Sequence, residues 1–269
     1  MTQPYAEVIG DPIGHSKSPI IHGFWLKALG HDAAYRACHV LPDGLADYFA
    51  TRRSDPAWRG CNITVPHKIA ALDHVADPGN IRSTIGAINT VARDEQGICF
   101  GTNTDAAGFY APIAEIDLTG APIVVIGAGG AARAVLFALS RLGVGPVTVL
   151  NRNVLKAAAL LARFGLKGAA LPLESALPPA ALVVNASTLG MVGQPPLVID
   201  LDPLPEDAII YDLVYAPLET PLLKAARARG LDSVDGLEML ISQAALAFEI
   251  LFGIEPPRDE DESLRALLS

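Results

Sequence analysis

Cysteine is scarce in this sequence, and long apolar runs are missing from it. The 269 residues include 3 cysteines, Cys38, Cys61 and Cys99, and an odd, widely spaced set fits reduced thiols better than a disulfide framework or a zinc site. No apolar run reaches the ~20 residues that span a bilayer. No N-terminal stretch combines basic residues with an apolar core and a cleavage site. We therefore expect a cytoplasmic protein without a bound metal or a membrane partner.

Basic residues are also few relative to acidic ones. The chain has 20 lysines and arginines against 29 aspartates and glutamates, a formal net charge of −9, which disfavours nucleic acid as a partner. Any anionic ligand must therefore be held by local donors against the field of the whole chain. Hydrophobic residues make up 51% of the sequence, enough for substantial cores, and the length allows one or two domains. We expect two.

What the sequence does contain is a repeated alternation of short apolar strands with helical patterns. This alternation is typical of the α/β class, with a mostly parallel sheet covered by helices. The first half predicts strands at 6–9, 35–40 and 61–65 and helices at 19–29 and 45–52. The second half predicts strands at 124–126, 146–150, 182–185 and 208–212 and helices at 131–142, 157–164 and 237–252. The charged segment 256–262 is predicted to be disordered.

The predicted strand at 124–126 runs directly into glycines and then into a helix. A pyrophosphate needs backbone N–H groups at a helix N-terminus, and only residues without large side chains let the backbone approach it closely. Gly127, Gly129 and Ala132 fit the spacing G-x-G-x-x-G/A that meets this need. The second half of the chain is therefore predicted to bind a dinucleotide.

The next predicted strand ends in Asn151 and Arg152, at the position that selects the cofactor. An NAD site usually has an acidic residue there for the ribose 2′-OH, whereas a 2′-phosphate requires a cation. Arginine matches phosphate geometry with two parallel hydrogen bonds, and Lys156, one turn further on, can add a second positive charge. The pattern favours NADP over NAD. The alternative is a surface arginine that happens to follow a strand.

In the first half, small polar residues cluster beside glycine and proline. Ser16 and Ser18 follow the first strand and open a helix, so their hydroxyls lie where a helix N-terminus favours an anion. They can hold a carboxylate. Equally, Ser18 can be a helix cap and Ser16 a turn residue, and the residues alone leave both interpretations open.

A second polar group surrounds the predicted strand at 61–65. Asn62 and Thr64 alternate with apolar residues, so both point to the same side of that strand, and Lys68 follows at the next predicted helix start. A lysine is usually a surface charge, and a role in an active site needs a partner. Asp105, at the start of a further helix, offers one for proton relay. Asn89, at another strand start, is either a further polar ligand or part of an Asx turn.

Taken together, these motifs resemble the shikimate dehydrogenase family, and the resemblance covers nearly the whole chain. The family's motifs stand here, in chain order, at residues 10–19, 62–68, 86–90, 103–105, 127–131, 151–152, 185–191, 215–222 and 235–243. The resemblance implies a substrate domain of residues 1–105 and 237–269 and a Rossmann-type NADP-binding domain of residues 106–236. It further implies an active site in the cleft between the domains, in a monomer or a homodimer.

The activity that the resemblance implies is the reversible reduction of 3-dehydroshikimate to shikimate by NADPH, a step towards the aromatic amino acids. Lys68 becomes the acid–base residue and a substrate contact, because an ammonium can stabilise the charge that grows on the ketone oxygen and deliver its proton. Asp105 would orient Lys68 and bind a hydroxyl.

The resemblance also implies the remaining binding residues. The substrate carboxylate is assigned to Ser16, Ser18 and Tyr215, and the ring hydroxyls and neighbouring groups to Asn62, Thr64, Asn89, Asp105 and Gln243. The cofactor is assigned to Gly127, Ala128, Gly129, Gly130, Ala131, Asn151, Arg152, Asn153, Lys156, Leu213 and Gly236.

Two rival functions remain. A quinate/shikimate dehydrogenase that uses NAD would have an acidic residue near Asn151 and often a threonine in place of Ser18, and neither is found here. An NADP-binding regulator that keeps the fold without the reaction would be marked by loss of Lys68 or Asp105, and both are present. Asn153 stands where the family often has threonine, and its amide can still donate to a phosphate.

Overall fold

The computed structural model describes residues 3–268 as alternating strands and helices, which confirms the predicted α/β class. The strands are β1 (Tyr5–Gly10), β2 (Ala34–His39), β3 (Trp58–Ile63), β4 (Thr90–Arg93), β5 (Cys99–Thr102), β6 (Ile123–Ile126), β7 (Val147–Leu150), β8 (Gly168–Leu171), β9 (Leu182–Asn185), β10 (Ile209–Asp212) and β11 (Asp232–Val234). The helices are α1 (Ser18–Ala28), α2 (Leu45–Arg53), α3 (Ile81–Thr84), α4 (Asp105–Tyr110), α5 (Gly130–Leu139), α6 (Val154–Phe164), α7 (Pro221–Ala228), α8 (Gly236–Phe252) and α9 (Asp261–Leu268).

The chain divides into two compact units. Unit 1 comprises Met1–Thr104 and Ile241–Ser269, and unit 2 comprises Asp105–Leu240. The sequence predicts domain boundaries after residue 105 and after residue 236. In the structure the units divide after residue 104 and after residue 240. The second difference arises because α8 runs unbroken from Gly236 to Phe252, so its first turn belongs to unit 2 and the remainder to unit 1.

The sheet of unit 1 has the strand order β2-β1-β3-β4-β5. β1 pairs in parallel with β2 and β3, while β3–β4 and β4–β5 are antiparallel. The expectation of a mostly parallel sheet is therefore wrong for this end of unit 1. A tight turn, in which Asp94 Oδ1 accepts the N–H groups of Gln96 and Ile98 at 3.0 and 2.8 Å, joins β4 to β5. So short a connection permits only antiparallel pairing.

Alternation along the central strand of unit 1 directs side chains to both faces of the sheet. Tyr5 and Ile9 of β1 pack in one core with Tyr48 and Phe49 of α2. The even-numbered residues of β1 face the other way, and α1 packs against β1 and β2. Trp25 of α1 is fully buried. Unit 1 therefore has helices on both faces of its parallel strands.

The sheet of unit 2 is parallel throughout, with the strand order β11-β10-β9-β6-β7-β8. The chain moves outward from β6 to β8 in one direction and then from β9 to β11 in the other. In such a doubly wound sheet a ligand binds outside the carboxyl ends of the strands where the order reverses, here between β6 and β9.

The structure corrects the predictions for the segment 256–262 and for the strand at 61–65 of unit 1. The segment 256–262 is ordered, because it leads through a 3₁₀ turn into α9, whose Leu264 and Leu268 are 0% and 1% exposed. The many charged residues of the segment suggested disorder from composition alone, but burial of these two leucines stabilises the helix. The strand predicted at 61–65 ends at Ile63, so Thr64 lies in the loop that follows. In the described part of the chain, no helix is long and apolar enough to cross a membrane.

Candidate active site

The predicted dinucleotide turn lies between β6 and α5 in unit 2. β6 ends at Ile126, and Gly127 follows with a φ of +108°, where a Cβ would lie 2.9 Å from the carbonyl oxygen of Ala186. Both the dihedral angle and the close approach require glycine. α5 begins at Gly130, and a Cβ on its N-cap Gly129 would meet no described atom within 4 Å. An anion can therefore approach the N–H groups at the start of α5.

The small residues around this turn pack it against unit 2 on one side. Ala128 and Ala132 are buried in the apolar core of the unit, whereas Gly130 and Ala131 form the half-buried start of α5. The buried alanines fix the loop, and the backbone at Gly129 stays accessible to a ligand. Binding of a pyrophosphate by backbone N–H groups needs both properties.

The predicted 2′-phosphate residues begin where β7 ends. The Nδ2 of Asn151 donates to the carbonyl oxygen of Asn153 at 2.8 Å, and the Oδ1 of Asn153 accepts the N–H of Lys156 at 3.0 Å. Asn153 therefore caps α6, which leaves its amide nitrogen to donate to a phosphate. Arg152, Asn153 and Lys156 are exposed close together in sequence. A cation is available where a 2′-phosphate would need it.

A buried carboxylate fixes the loops after β9 and β10. Asp212 accepts hydrogen bonds from Asn185 Nδ2 at 2.8 Å, the N–H of Val214 at 3.0 Å and the hydroxyl of Thr220 at 2.6 Å. Burial raises the pKa of Asp212, and these three donors oppose the rise. The carboxylate holds together the carboxyl ends of two neighbouring strands, next to the edge where a ligand is expected.

Two residues assigned to the cofactor, Leu213 and Gly236, meet beside this carboxylate. Leu213 follows Asp212 and donates its N–H to the carbonyl oxygen of Asn185 at 3.0 Å. A Cβ on Gly236 would lie 2.6 Å from the carbonyl oxygen of Leu213, so only glycine allows this approach. Tyr215 is half-buried on the same loop, and burial raises the pKa of its hydroxyl.

The remaining predicted residue of unit 2 is Asp105. It is the first residue of α4 and is only 4% exposed. Phe109, one turn further along α4, stacks on Tyr211 of β10 with ring centroids 5.2 Å apart. This stack anchors the short helix to the sheet and so fixes the position of Asp105 within unit 2.

In unit 1, three predicted substrate residues lie in one buried polar network. Asn62 Nδ2 donates to the carbonyl oxygen of Asn89 at 3.3 Å and to Thr90 Oγ1 at 3.0 Å. Asn89 Nδ2 donates to Thr104 Oγ1 at 2.8 Å and to Gln243 Oε1 at 3.1 Å. The structure thus brings Asn62, Asn89 and Gln243 together from β3, from the residue before β4 and from α8.

Asn89 also uses its oxygen within the network. Its Oδ1 accepts the N–H of Thr104 at 2.7 Å and the hydroxyl of Thr90 at 3.2 Å. The two donors and two lone pairs of an amide are therefore all engaged inside unit 1. A direct bond from Asn89 to a ligand would replace one of these internal partners. The Asx-turn interpretation is wrong, because Oδ1 accepts the N–H of Thr104, 15 residues further along the chain, and not a backbone N–H two residues on.

Lys68 and Thr64 lie on the loop that follows β3. The N–H of Thr64 donates to the carbonyl oxygen of Ile9 at 2.9 Å, and the carbonyl oxygen of Lys68 accepts the N–H of Ile88 at 2.8 Å. His67 is buried between them and donates from Nε2 to the carbonyl oxygen of Val40 at 2.7 Å. The predicted helix start at Lys68 is wrong, because this loop leads into a 3₁₀ turn at Ala70–His74 instead.

Ser16 and Ser18 lie at the N-terminus of α1, as predicted. The Oγ of Ser16 accepts the N–H of Ser18 at 3.3 Å, so Ser16 closes a turn. Ser18 is the first helical residue and does not act as the cap, since the N-cap position is taken by Lys17. The alternative in which Ser18 caps the helix is therefore wrong, and its buried hydroxyl is left for other partners.

Sequence reasoning missed several residues that shape these sites. Thr90 and Thr104 lay inside motifs that were recognised, yet neither was assigned a role. Tyr35 had no signal beyond its place in a predicted strand, although its hydroxyl donates to Asn62 Oδ1 at 2.6 Å. Asp212 ended a predicted strand without any sign of the bonds that it accepts. Such contacts join distant segments, and no local pattern announces them.

Known proteins share this architecture over nearly the full length of the chain. The shikimate dehydrogenase (NADP⁺) of Sphingopyxis alaskensis is 68% identical over 98% of this chain and 97% of its own. The crystal structure of shikimate 5-dehydrogenase from Thermus thermophilus, in complex with NADP(H) and shikimate, matches 99% of this chain and 100% of its own with 39% identity and a TM-score of 0.86. Quinate dehydrogenase from Corynebacterium glutamicum, in complex with NAD, matches 98% of this chain and 99% of its own with 30% identity and a TM-score of 0.85.

The fold and the glycine turn define an α/β protein of two units with a Rossmann-type dinucleotide-binding domain. Three family models match its parts: the shikimate dehydrogenase substrate binding domain at residues 8–91, shikimate/quinate 5-dehydrogenase at residues 111–187, and the shikimate 5′-dehydrogenase C-terminal domain at residues 236–262. The chain belongs to the shikimate dehydrogenase family.

Proposed function

We propose that this chain is an NADP-dependent shikimate dehydrogenase, which reduces 3-dehydroshikimate reversibly to shikimate. The observation that carries the proposal is the 68% identity, over 98% of the chain, to a shikimate dehydrogenase (NADP⁺). The reaction is one step of the shikimate pathway, which leads to the aromatic amino acids.

NADP is the cofactor of this reaction. Unit 2 supplies what the cofactor needs: an uncapped helix start at Gly130 for the pyrophosphate, and exposed Arg152 and Lys156 beyond β7 for a 2′-phosphate. We assign Gly127–Ala131, Asn151, Arg152, Asn153, Lys156, Leu213 and Gly236 to cofactor binding. When bound, the reduced nicotinamide supplies the hydride.

Lys68 is proposed as the acid–base residue. As the ketone gains a hydride, negative charge grows on its oxygen, and an ammonium at that oxygen stabilises the charge and then delivers a proton. In the reverse direction the neutral amine takes the hydroxyl proton. Backbone hydrogen bonds hold both ends of the loop that carries Lys68, since Thr64 bonds to Ile9 of β1 and Lys68 bonds to Ile88. These bonds support a fixed position for the Lys68 backbone.

The other substrate residues place neutral hydroxyls on the substrate carboxylate, and the one acidic side chain among them, Asp105, is assigned to a substrate hydroxyl. We propose that Ser16, Ser18 and Tyr215 bind the substrate carboxylate, and that Asn62, Thr64, Asn89, Asp105 and Gln243 bind its hydroxyls. Hydroxyl groups can position a carboxylate by hydrogen bonding without a positive patch. This fits a chain whose formal net charge of −9 opposes an anionic ligand at long range.

The proposal is tested by the absorbance of the reduced nicotinamide, with purified protein and shikimate or quinate, each paired with NADP⁺ or NAD⁺. We expect the highest kcat/KM with shikimate and NADP⁺. A preference for quinate or NAD⁺ would contradict the substrate or cofactor assignment, and binding of NADPH without turnover of any pair would favour a regulator that keeps the fold.

We propose in addition that the protein is cytoplasmic and is a monomer or a homodimer. The three cysteines support a reducing compartment, since all are free, and Cys61 and Cys99 are buried. Light scattering of the purified protein, with and without NADP⁺, measures the mass directly against the 28.2 kDa of one chain.

A further inference from the structure

One buried tyrosine in unit 1, Tyr35, donates its hydroxyl to the predicted substrate residue Asn62. Tyr35 lies on β2 and is 9% exposed, and its hydroxyl donates to Oδ1 of Asn62 on β3 at 2.6 Å. Tyr35 belongs to no motif that the sequence analysis assigned to the reaction. Its route to the substrate is therefore through the side chain that it holds.

The register of the sheet explains how one side chain reaches the other. β1 separates the two strands, Tyr35 pairs with Ala6, and Asn62 pairs with Val8, so all four side chains share one face of the sheet. Two strand spacings amount to about 9–10 Å, which a tyrosine can cross only if the residue beneath it is small. Ala6 is that residue.

The tyrosine ring is fixed on this face by His22 of α1. The two rings stack in parallel, with centroids 4.0 Å apart and an interplanar angle of 2°. His22 is fully buried, and burial lowers its pKa to about 3, so the ring that covers Tyr35 is uncharged. Burial also raises the pKa of Tyr35, and a hydrogen bond with the side chain of Ser18 partly offsets the rise. Tyr35 is thus a neutral, fixed donor beside two predicted substrate residues.

Counting the hydrogen bonds of Asn62 shows what this donor does. Both hydrogens of Nδ2 are directed at partners in unit 1, the carbonyl oxygen of Asn89 and Oγ1 of Thr90. Oδ1 has two lone pairs, and Tyr35 takes one. The capacity left on Asn62 among the described residues is the second lone pair of Oδ1, which can accept from a hydroxyl.

We propose that Tyr35 is a positioning residue for the substrate: its hydroxyl locks the Asn62 amide in the orientation that presents Oδ1 to a ring hydroxyl. This inference rests on the proposed function, because it assumes a hydroxylated substrate bound by Asn62. Without the tyrosine hydroxyl, a rotated amide would offer N–H groups where the substrate needs an acceptor. The chemical step itself does not involve Tyr35, so its contribution is to binding and not to turnover.

The test compares two tyrosine variants in the same unit. Tyr35→Phe removes one hydroxyl and keeps the ring stacked on His22. Tyr48→Phe is the matched control, since Tyr48 is 8% exposed and its hydroxyl donates to Glu7 Oε2 at 2.9 Å, within the core on the opposite face of the sheet. We expect Tyr35→Phe to raise the KM for shikimate about tenfold, the equivalent of about 1.4 kcal/mol, with kcat changed less than about threefold and the KM for NADP⁺ unchanged.

The control variant should keep the wild-type KM for shikimate, whatever it loses in stability. Protection of each variant by shikimate against thermal unfolding gives a second measure of binding that does not require turnover. An unchanged shikimate KM and unchanged protection in Tyr35→Phe would overturn the inference. So would an equal rise of KM in Tyr48→Phe, because the effect would then follow from any lost tyrosine hydroxyl.

A double-mutant cycle separates positioning from direct contact. In an Asn62→Ala background, Tyr35→Phe should change the KM for shikimate less than about twofold, because the amide that it orients is gone. A full tenfold effect in that background would overturn the route through Asn62. Failure of the proposed function has a different signature: wild-type protein would then turn over no shikimate, whereas failure of this inference alone leaves wild-type activity with shikimate intact.

Discussion

The two units prepare their ligands differently. In unit 1 the predicted substrate residues Asn62, Asn89 and Gln243 are 7%, 2% and 9% exposed and are bonded to one another or to shared neighbours. In unit 2 the predicted 2′-phosphate residues Arg152 and Lys156 are exposed beyond a strand end. Unit 1 thus holds neutral groups in fixed orientations, and unit 2 offers backbone N–H groups and exposed charges. Amides held in fixed orientations can distinguish the hydroxyls of a small ring, because each presents a defined donor or acceptor. Exposed positive charges suit a phosphate, because it is an anion.

The units also differ in where their histidines lie. All six histidines lie in the first part of unit 1, from His15 to His74, and the sequence of unit 2 has none. Unit 2 buries the carboxyl groups of Asp105 and Asp212, and Asp212 accepts three hydrogen bonds. Because burial lowers the pKa of His22 to about 3, we expect mild acid to destabilise unit 1 through this residue.

The largest expected effect removes chemistry from unit 1 and leaves unit 2 intact. Lys68→Ala should lower kcat about a thousandfold, the scale of a lost general acid that also stabilises the developing charge. The KM for NADP⁺ should stay within about threefold, because no cofactor residue changes. Steady-state kinetics in both directions measures the effect.

The control for Lys68 is Lys27→Ala, which removes an exposed lysine from the last turn of α1 in the same unit. It should leave kcat unchanged. A Lys68→Ala variant that keeps more than a tenth of the wild-type kcat would remove Lys68 from the role of acid–base residue.

The next effect removes cofactor selection from unit 2 and leaves unit 1 intact. Arg152→Ala should raise the KM for NADP⁺ about 10- to 100-fold, since a hydrogen bond to a charged group is worth about 1.5–3 kcal/mol. The KM for NAD⁺, which has no 2′-phosphate, should change little. Arg227→Ala is the control, because it removes an exposed arginine of α7 that pairs with the surface residue Glu219. Equal rises for both cofactors would reject the 2′-phosphate assignment.

The contrast between units also explains what the sequence could reveal. The glycine turn and the Asn151–Arg152 pair are local patterns, and their physical reasons can be given from a few consecutive residues. The bond between Asn89 and Gln243 joins residues 154 positions apart, so only the family resemblance grouped them. Tyr35 is linked to Asn62 through sheet register, which no motif encodes. The sequence analysis missed helix α9 because the charged residues beside it indicated disorder, whereas the helix is held by its two buried leucines, Leu264 and Leu268.

A smaller effect tests the acid sensitivity of unit 1. Burial lowers the pKa of His22 to about 3, against about 6.5 in an unfolded chain. Between these values the unfolded state binds a proton that the folded state does not, so stability falls as the pH falls from about 6.5, by up to about 1.4 kcal/mol per pH unit. Above about 6.5 both states are neutral and the contribution vanishes.

His22→Phe should reduce this slope by one proton while keeping a flat ring against Tyr35. Denaturant unfolding of wild type and variant at about pH 7 and about pH 5 measures the effect, and the free energy of unfolding should fall less between these two pH values in the variant. Identical slopes for the two proteins would show that His22 does not carry the acid sensitivity assigned to it.

The smallest effect separates the structural role of Asn153 from its proposed role in cofactor binding. Asn153 Oδ1 caps α6 by accepting the N–H of Lys156 at 3.0 Å, so Asn153→Ala should lower the free energy of unfolding by about 1 kcal/mol. Asn153→Asp keeps the accepting oxygen and should keep the stability, yet its negative charge beside Arg152 should raise the KM for NADP⁺ a few-fold through repulsion of the 2′-phosphate. If Asn153→Asp binds NADP⁺ as tightly as wild type, the phosphate lies away from this residue, and Asn153 serves α6 alone.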